Sequence, residues 1–112
     1  YPPVAFAVAE KTVAEPGARG ILLCGSGVGV SIAANKVCGA RAVLAHTRGQ
    51  AALARAHDDV NILCLRADDA ILADLHATVD AFLRTPFDAR ERRVRRLRQI
   101  ATYEKSNYCP DE

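Results

Sequence analysis

Apolar residues in this chain come in short unbroken runs set between longer stretches of mixed pattern. Ile21-Leu22-Leu23, Ala42-Val43-Leu44 and Ile62-Leu63-Cys64-Leu65 are continuous rather than alternating. A parallel strand covered on both faces has this pattern, because neither of its sides meets water. Helical patterns fill the intervals. Residues 4–14 read as a helix ended by Pro16-Gly17, 28–36 as a short helix stopped near Gly39, and 47–56 as an alanine-rich helix capped by Thr47. The strands are expected at 20–24, 40–45 and 60–65. A helix capped by Asp68 or Asp69 is expected to run to about Leu83, with Pro86 separating it from a last helix over 90–105. Strand-helix alternation predicts an α/β fold: a three-layer α/β/α, Rossmann-like parallel sheet with right-handed crossovers. The expected organisation is one domain over 1–105 and a disordered tail over 106–112.

Composition narrows the function classes. At 112 residues, half of them apolar, the chain is one small domain with enough material for a core. No apolar run approaches the ~20 residues of a membrane span, so no membrane partner is expected. Fifteen basic against thirteen acidic residues leave a net charge of +2. Seven arginines crowd into 84–98, but no nucleic-acid-binding motif accompanies them, and no nucleic-acid partner is expected. Cys24, Cys38, Cys64 and Cys109 lack a C-x-x-C pairing, which speaks against a zinc site. A reducing, cytoplasmic setting is the expectation.

The densest chemistry lies at 24–29. Cys24 ends an apolar strand, and Gly25-Ser26-Gly27-Val28-Gly29 then leads into a helix. Open α/β sheets bind ligands at the carboxyl ends of their strands, and glycines let backbone amides approach an anion closely. The following helix N-terminus would favour the thiolate form of Cys24. The glycine spacing matches neither the dinucleotide fingerprint nor a Walker loop. By itself it is equally compatible with a tight turn beside an inert buried cysteine.

The longer string is more specific. Cys-Gly-Ser-Gly-Val-Gly-x-Ser-Ile-Ala-Ala-Asn-Lys over 24–36, followed by Gly39-Ala40-Arg41-Ala42, resembles the signature of type B ribose-5-phosphate isomerases and the related galactose-6-phosphate isomerase subunits. Tyr1-Pro2 with Ala5, Val8, Ala9 and Glu10, then Arg55-Ala56-His57-Asp58-Asp59-Val60-Asn61, then 79–87, are similar to further family segments in register. The family's opening strand-helix-strand, with its Gly-x-Asp-His-x-Gly/Ala motif, has no counterpart here, and the chain contains no methionine. The expectation is a piece lacking about the first third of the family's length, with little isomerase activity alone.

The resemblance implies an aldose–ketose isomerase that interconverts ribose 5-phosphate and ribulose 5-phosphate, in the pentose phosphate pathway, through an enediolate. It implies no metal and no cofactor. Cys24 would be the base that moves the proton, and His57 the group that opens the sugar ring. The Ser26 hydroxyl and the backbone of Gly25, Ser26, Gly27, Val28 and Gly29 would hold the developing anion, Asp58 a sugar hydroxyl, and Arg92 and Arg96 the phosphate. It also implies a homodimer or dimer of dimers with sites shared across the interface. His46 and His76 match no family motif and read as ordinary surface or structural residues.

Two positions depart from the family pattern. Asp58 stands where asparagine is common, and an ionised aspartate only accepts hydrogen bonds. Asp68 stands where the family commonly has an arginine that contacts phosphate, with Arg66 two residues away. These departures and the absent Asp-His motif keep open a non-catalytic phosphosugar-binding protein. A six-carbon phosphosugar isomerase of the galactose or allose 6-phosphate type stays open because the family's loops that set sugar length include the absent opening segment.

Overall fold

A computed structural model describes residues 1–109. The elements are α1 (Pro2–Ala14), β1 (Gly20–Cys24), α2 (Val28–Ala34), β2 (Ala42–Leu44), α3 (Arg48–Asp58), β3 (Ile62–Arg66), α4 (Leu72–Arg84) and α5 (Glu91–Asn107). The strands form one parallel sheet in the order β1-β3-β2. Gly20 lies opposite Ile62 at one end of the β1–β3 pair, and Cys24 opposite Arg66 at the other. β3 is central, and its residues 62–65 are all buried, as the continuous apolar run requires.

Alternation along the strands divides the core in two. Leu22, Ile62 and Cys64 pack with Ala5 and Ala9 of α1 and Val30, Ala33 and Ala34 of α2. Leu63 and Leu65 face the other way, onto Ala51 of α3 and Phe82 of α4, with Ala45 and Val60. The result is the expected three-layer α/β/α arrangement. Spacing of four places Ala5 and Ala9 on one helical face, and their small side chains let α1 lie close to its neighbours.

Several boundaries differ from the sequence reading: β2 spans 42–44 rather than 40–45, β3 62–66 rather than 60–65, and α2 ends at Ala34. α3 runs two residues further, through His57 and Asp58, where Arg55 reaches out of it to the Thr85 and Val60 carbonyls and to the Asp59 carboxylate (3.2, 2.6 and 2.9 Å). Asp59 then ends the helix in a left-handed conformation, φ 48°. Thr47 caps it at the start, as expected, by accepting the Gln50 amide at 3.1 Å. α4 begins only at Leu72 and is capped by neither Asp68 nor Asp69. Sheet-like pairing carries past the strand ends instead, the Ala67 and Asp68 amides donating to the Cys24 and Gly25 carbonyls. α5 extends through Asn107 into the expected tail, and Cys109 is bonded to Cys38. That disulfide departs from the reading of the four cysteines as thiols in a reducing setting. The remainder of the tail, 110–112, lies outside the described residues.

The outer edge of β1 has no strand beside it. Ile21 and Leu23 share a face with their register partners Leu63 and Leu65, yet they remain 41% and 55% exposed. An unpaired edge flanked by bare apolar side chains is a template for association. Residues 1–112 produced alone are therefore expected to sediment as a self-associated species, and Leu23→Glu to shift the distribution toward monomer. Sedimentation of the unaltered chain as a monomer at about 100 µM would remove the inference.

Candidate functional site

The Cys24 loop is compact and mostly self-supporting. The Gly27 amide donates to Cys24 Sγ at 3.1 Å, and the Val28 amide donates to Ser26 Oγ at 3.1 Å. Gly27 makes this turn possible: its φ is 78°, and a Cβ there would lie 2.5 Å from Leu44 and 3.0 Å from the Leu65 backbone. Two of the five expected anion-binding amides, those of Gly27 and Val28, are thus already engaged within the loop. The amides of Gly25, Ser26 and Gly29 have no hydrogen-bond partner among the described residues. Cys24 is a half-buried free thiol.

Cys64 is the other free cysteine, fully buried beneath the loop. Burial, reinforced by the charge of nearby Cys24, pushes its thiol up to about 12. It stays protonated and packs as a small apolar residue.

Two side chains border the loop. The Tyr1 phenol lies directly against Gly29, where any Cβ would collide with it. Tyr1 appeared in the sequence reading only as the entry to a helix; its position in a family segment was the available signal. On the other side a Cβ at Gly25 would meet the Asp68 carboxylate at 2.9 Å. Asp68 therefore places negative charge beside the open amides. Arg66, two residues before Asp68, donates to the Asp68 carbonyl (3.1 Å) and pairs with Asp69 (3.7 Å). Beyond Asp68 a hollow of about 210 Å³ is lined in part by His46, Asp69, Asp74 and Thr78.

The remaining expected site residues lie at the opposite end of the sheet. His57 is in the last turn of α3 rather than in a loop, and α3 returns the chain to the start of β3. Cys24 is four strand residues from that end, ~13 Å at the usual rise per residue. α5 joins the His57 end: Arg93 donates to the Ala56 carbonyl at 3.4 Å and pairs with Asp88 at 2.8 Å. Arg92 and Arg96 are exposed and form no ion pair among the described residues, whereas Arg90 and Arg95 pair with Asp88 and Glu91. Asp58 is exposed at the same end. Its neighbour Asp59 is held by Arg41 and Arg55, so little of its charge is left to repel a phosphate.

One copy of the chain therefore carries two separated groups. Cys24 and Ser26 with the open amides form one, and His57, Asp58, Arg92 and Arg96 form the other. A thiol at the head of a loop with open amides, on a parallel sheet with helices on both faces, is an α/β arrangement that can hold a small anion beside a sulfur. The chain belongs to the ribose/galactose isomerase family, which matches residues 1–100. It is 44% identical over 110 residues to ribose-5-phosphate isomerase B of Mycobacterium tuberculosis, covering 98% of this chain and 68% of that protein. Among solved structures, type B ribose 5-phosphate isomerase from Trypanosoma cruzi superimposes with a TM-score of 0.92 at 43% identity, covering 96% of this chain and 71% of that one. Ribose-5-phosphate isomerase B from Mycoplasma genitalium, with bound ribulose-5-phosphate, superimposes with a TM-score of 0.90 at 44% identity, covering 96% of this chain and 70% of that one.

Proposed function

We propose that this chain carries the catalytic thiol and the phosphate-binding helix of an isomerase interconverting ribose 5-phosphate and ribulose 5-phosphate. The observation that carries the reading is the Cys24 sulfur, held by the Gly27 amide beside three unused amides, in a chain similar along its length to ribose-5-phosphate isomerases B. In the open-chain aldose, the Cys24 thiolate takes the proton from C2 as the C1 carbonyl oxygen gains charge. The amides of Gly25, Ser26 and Gly29, with the Ser26 hydroxyl, stabilise that enediolate oxygen. A proton passes from O2 to O1 of the enediolate as Cys24 returns the abstracted proton to C1, and the ketose forms with no net oxidation and no external reactant. His57 exchanges the proton of the ring oxygen during opening, and Arg92 and Arg96 hold the phosphate. A role in pentose phosphate metabolism in the cytoplasm accords with this reaction.

The separation of the two groups argues for a shared site. His57 and the arginines of one copy would complete the Cys24 loop of a second, making the working unit a homodimer or a dimer of dimers. Complementation tests this. Cys24→Ala and His57→Ala variants, each inactive alone, are expected to recover about a quarter of wild-type activity when mixed and allowed to exchange subunits. Random pairing makes half the dimers mixed, with one of their two sites intact. No recovery in mixtures shown by mass spectrometry to contain mixed dimers would place both residues in one copy's site and overturn the shared arrangement.

Asp68 favours a second reading, a non-catalytic binder, because its carboxylate sits beside the amides that would receive the enediolate. Calorimetric binding of ribose 5-phosphate without turnover would select it. A higher kcat/KM for allose or galactose 6-phosphate than for ribose 5-phosphate would instead assign the longer sugar.

A further inference from the structure

We propose that Cys38 and Cys109 are a reversible thiol–disulfide modification site, a strap that fixes the arginine-bearing helix α5 to the body of the protein. The two sulfurs are bonded although the residues are 71 positions apart. Cys38 lies in the turn after α2, and Cys109 just beyond the end of α5. Both are only half-buried, so a small reagent can reach them.

The strap matters because α5 has so little else to hold it. None of its residues is buried. Its first half is tied by Arg93, which reaches Asp88 and the Ala56 carbonyl. The last turns are tied where Cys109 bonds to Cys38, where the Glu104 carboxylate accepts the Gly39 amide at 3.0 Å, and where the Cys109 amide returns to the Glu104 carbonyl at 2.8 Å. Glu104 grips the same turn that carries Cys38, so the disulfide and this hydrogen bond act at one point. Breaking the disulfide removes the covalent tie and leaves the part-buried Gly39–Glu104 hydrogen bond at that point, and helix ends without a covalent or buried apolar anchor open readily.

The chemistry is thiol–disulfide exchange with a low-molecular-weight disulfide, written RSSR. One protein thiolate attacks RSSR and releases RSH, giving a mixed disulfide. The second protein thiol then displaces the remaining RS group as RSH. The protein loses two hydrogens and forms one S–S bond, while RSSR is reduced to two RSH. A dithiol reductant reverses the change. Cys24 and Cys64 remain thiols in both states, which keeps the proposed proton-transfer chemistry separate from the strap.

The full chain is to be compared after treatment with oxidised glutathione and after treatment with dithiothreitol. Non-reducing peptide mapping should find Cys38 linked to Cys109 within one chain in the first sample, and four free thiols in the second. Amide hydrogen exchange over 100–107 should be at least tenfold faster in the reduced protein, with a smaller change near Arg93. Cys109→Ser should exchange like the reduced wild type over 100–107 after either treatment, with Cys38 stopping at a mixed disulfide with glutathione in the oxidised sample. The wild-type comparison needs no substitution, so it stands even if a variant folds poorly. Linkage to any other cysteine or between chains, or equal exchange over 100–107 in the two samples, would overturn the proposal. Because α5 carries Arg92 and Arg96, reduction should also weaken binding of ribose 5-phosphate. That consequence rests on the phosphate role proposed above: faster exchange without altered affinity would count against that role and leave the strap supported.

Discussion

Replacing Cys24 with alanine is expected to lower kcat for ribose 5-phosphate at least ~100-fold, the lower end of what a positioned general base supplies. KM should change little, since the sulfur acts on a carbon-bound proton and the phosphate is held elsewhere. The measurement belongs on any preparation of the protein that turns over ribose 5-phosphate. Reactivity offers a check that does not depend on turnover. Cys24 is half-buried and accepts the Gly27 amide, whereas Cys64 is fully buried with its thiol pushed up to about 12. Cys38 and Cys109 are joined in the disulfide. Iodoacetamide at neutral pH should therefore modify Cys24 well before Cys64 in the oxidised, folded protein. Labelling of the two at equal rates, or a Cys24→Ala variant keeping a tenth of the activity, would remove Cys24 from the role of base.

The arginine helix gives the second large effect. Arg92→Ala or Arg96→Ala should raise KM for ribose 5-phosphate by tenfold or more, because a charge-assisted contact is worth roughly 1.5–3 kcal/mol. Both project from one helical face, four residues apart, and neither is engaged in an ion pair among the described residues. Arg95→Ala should leave KM within about twofold, since that exposed side chain reaches only Glu91, at 3.9 Å. Arg93→Ala should act differently from all three, lowering thermal stability because it removes the tie to Asp88 and Ala56. Equal increases in KM from Arg92, Arg95 and Arg96 would mean that α5 contributes only a diffuse positive field.

Much of the fold was legible because local chemistry and tertiary demand agree. The runs 21–23, 42–44 and 62–65 are apolar on both sides, and each became a strand, the central 62–65 run buried on both faces and the edge run keeping Ile21 and Leu23 exposed on one. Thr47 caps α3 because its hydroxyl oxygen reaches the Gln50 amide without help from elsewhere. The misplaced boundaries have long-range causes. His57 looked like a loop residue because the alanine-rich stretch ends at Ala56, but Arg55 is anchored to Thr85, 30 positions away, and the helix continues two residues further, through Asp58. Asp68 and Asp69 looked like helix caps because aspartate is a good one. Asp68 is instead drawn to Gly25 by β1–β3 pairing, and Asp69 takes φ 57°.

The candidate site divides the same way. Residues 24–29 carry their own chemistry in their order: a thiol at a strand end, glycines that free the backbone, and a serine among them. Sequence by itself thus determined the sheet class, the loop and the identity of the sulfur. Only the tertiary structure decided that the Gly27 and Val28 amides are used inside the loop, that Tyr1 and Asp68 border it, and that Cys38 meets Cys109. It also decided that His57 and the arginines lie at the far end of the sheet from Cys24. Spacing along a chain constrains neighbours within a turn or a strand, where covalent geometry limits the options. Which distant residues share an end of the sheet depends on strand order and helix direction, and those follow from burying the apolar faces of all the elements at once.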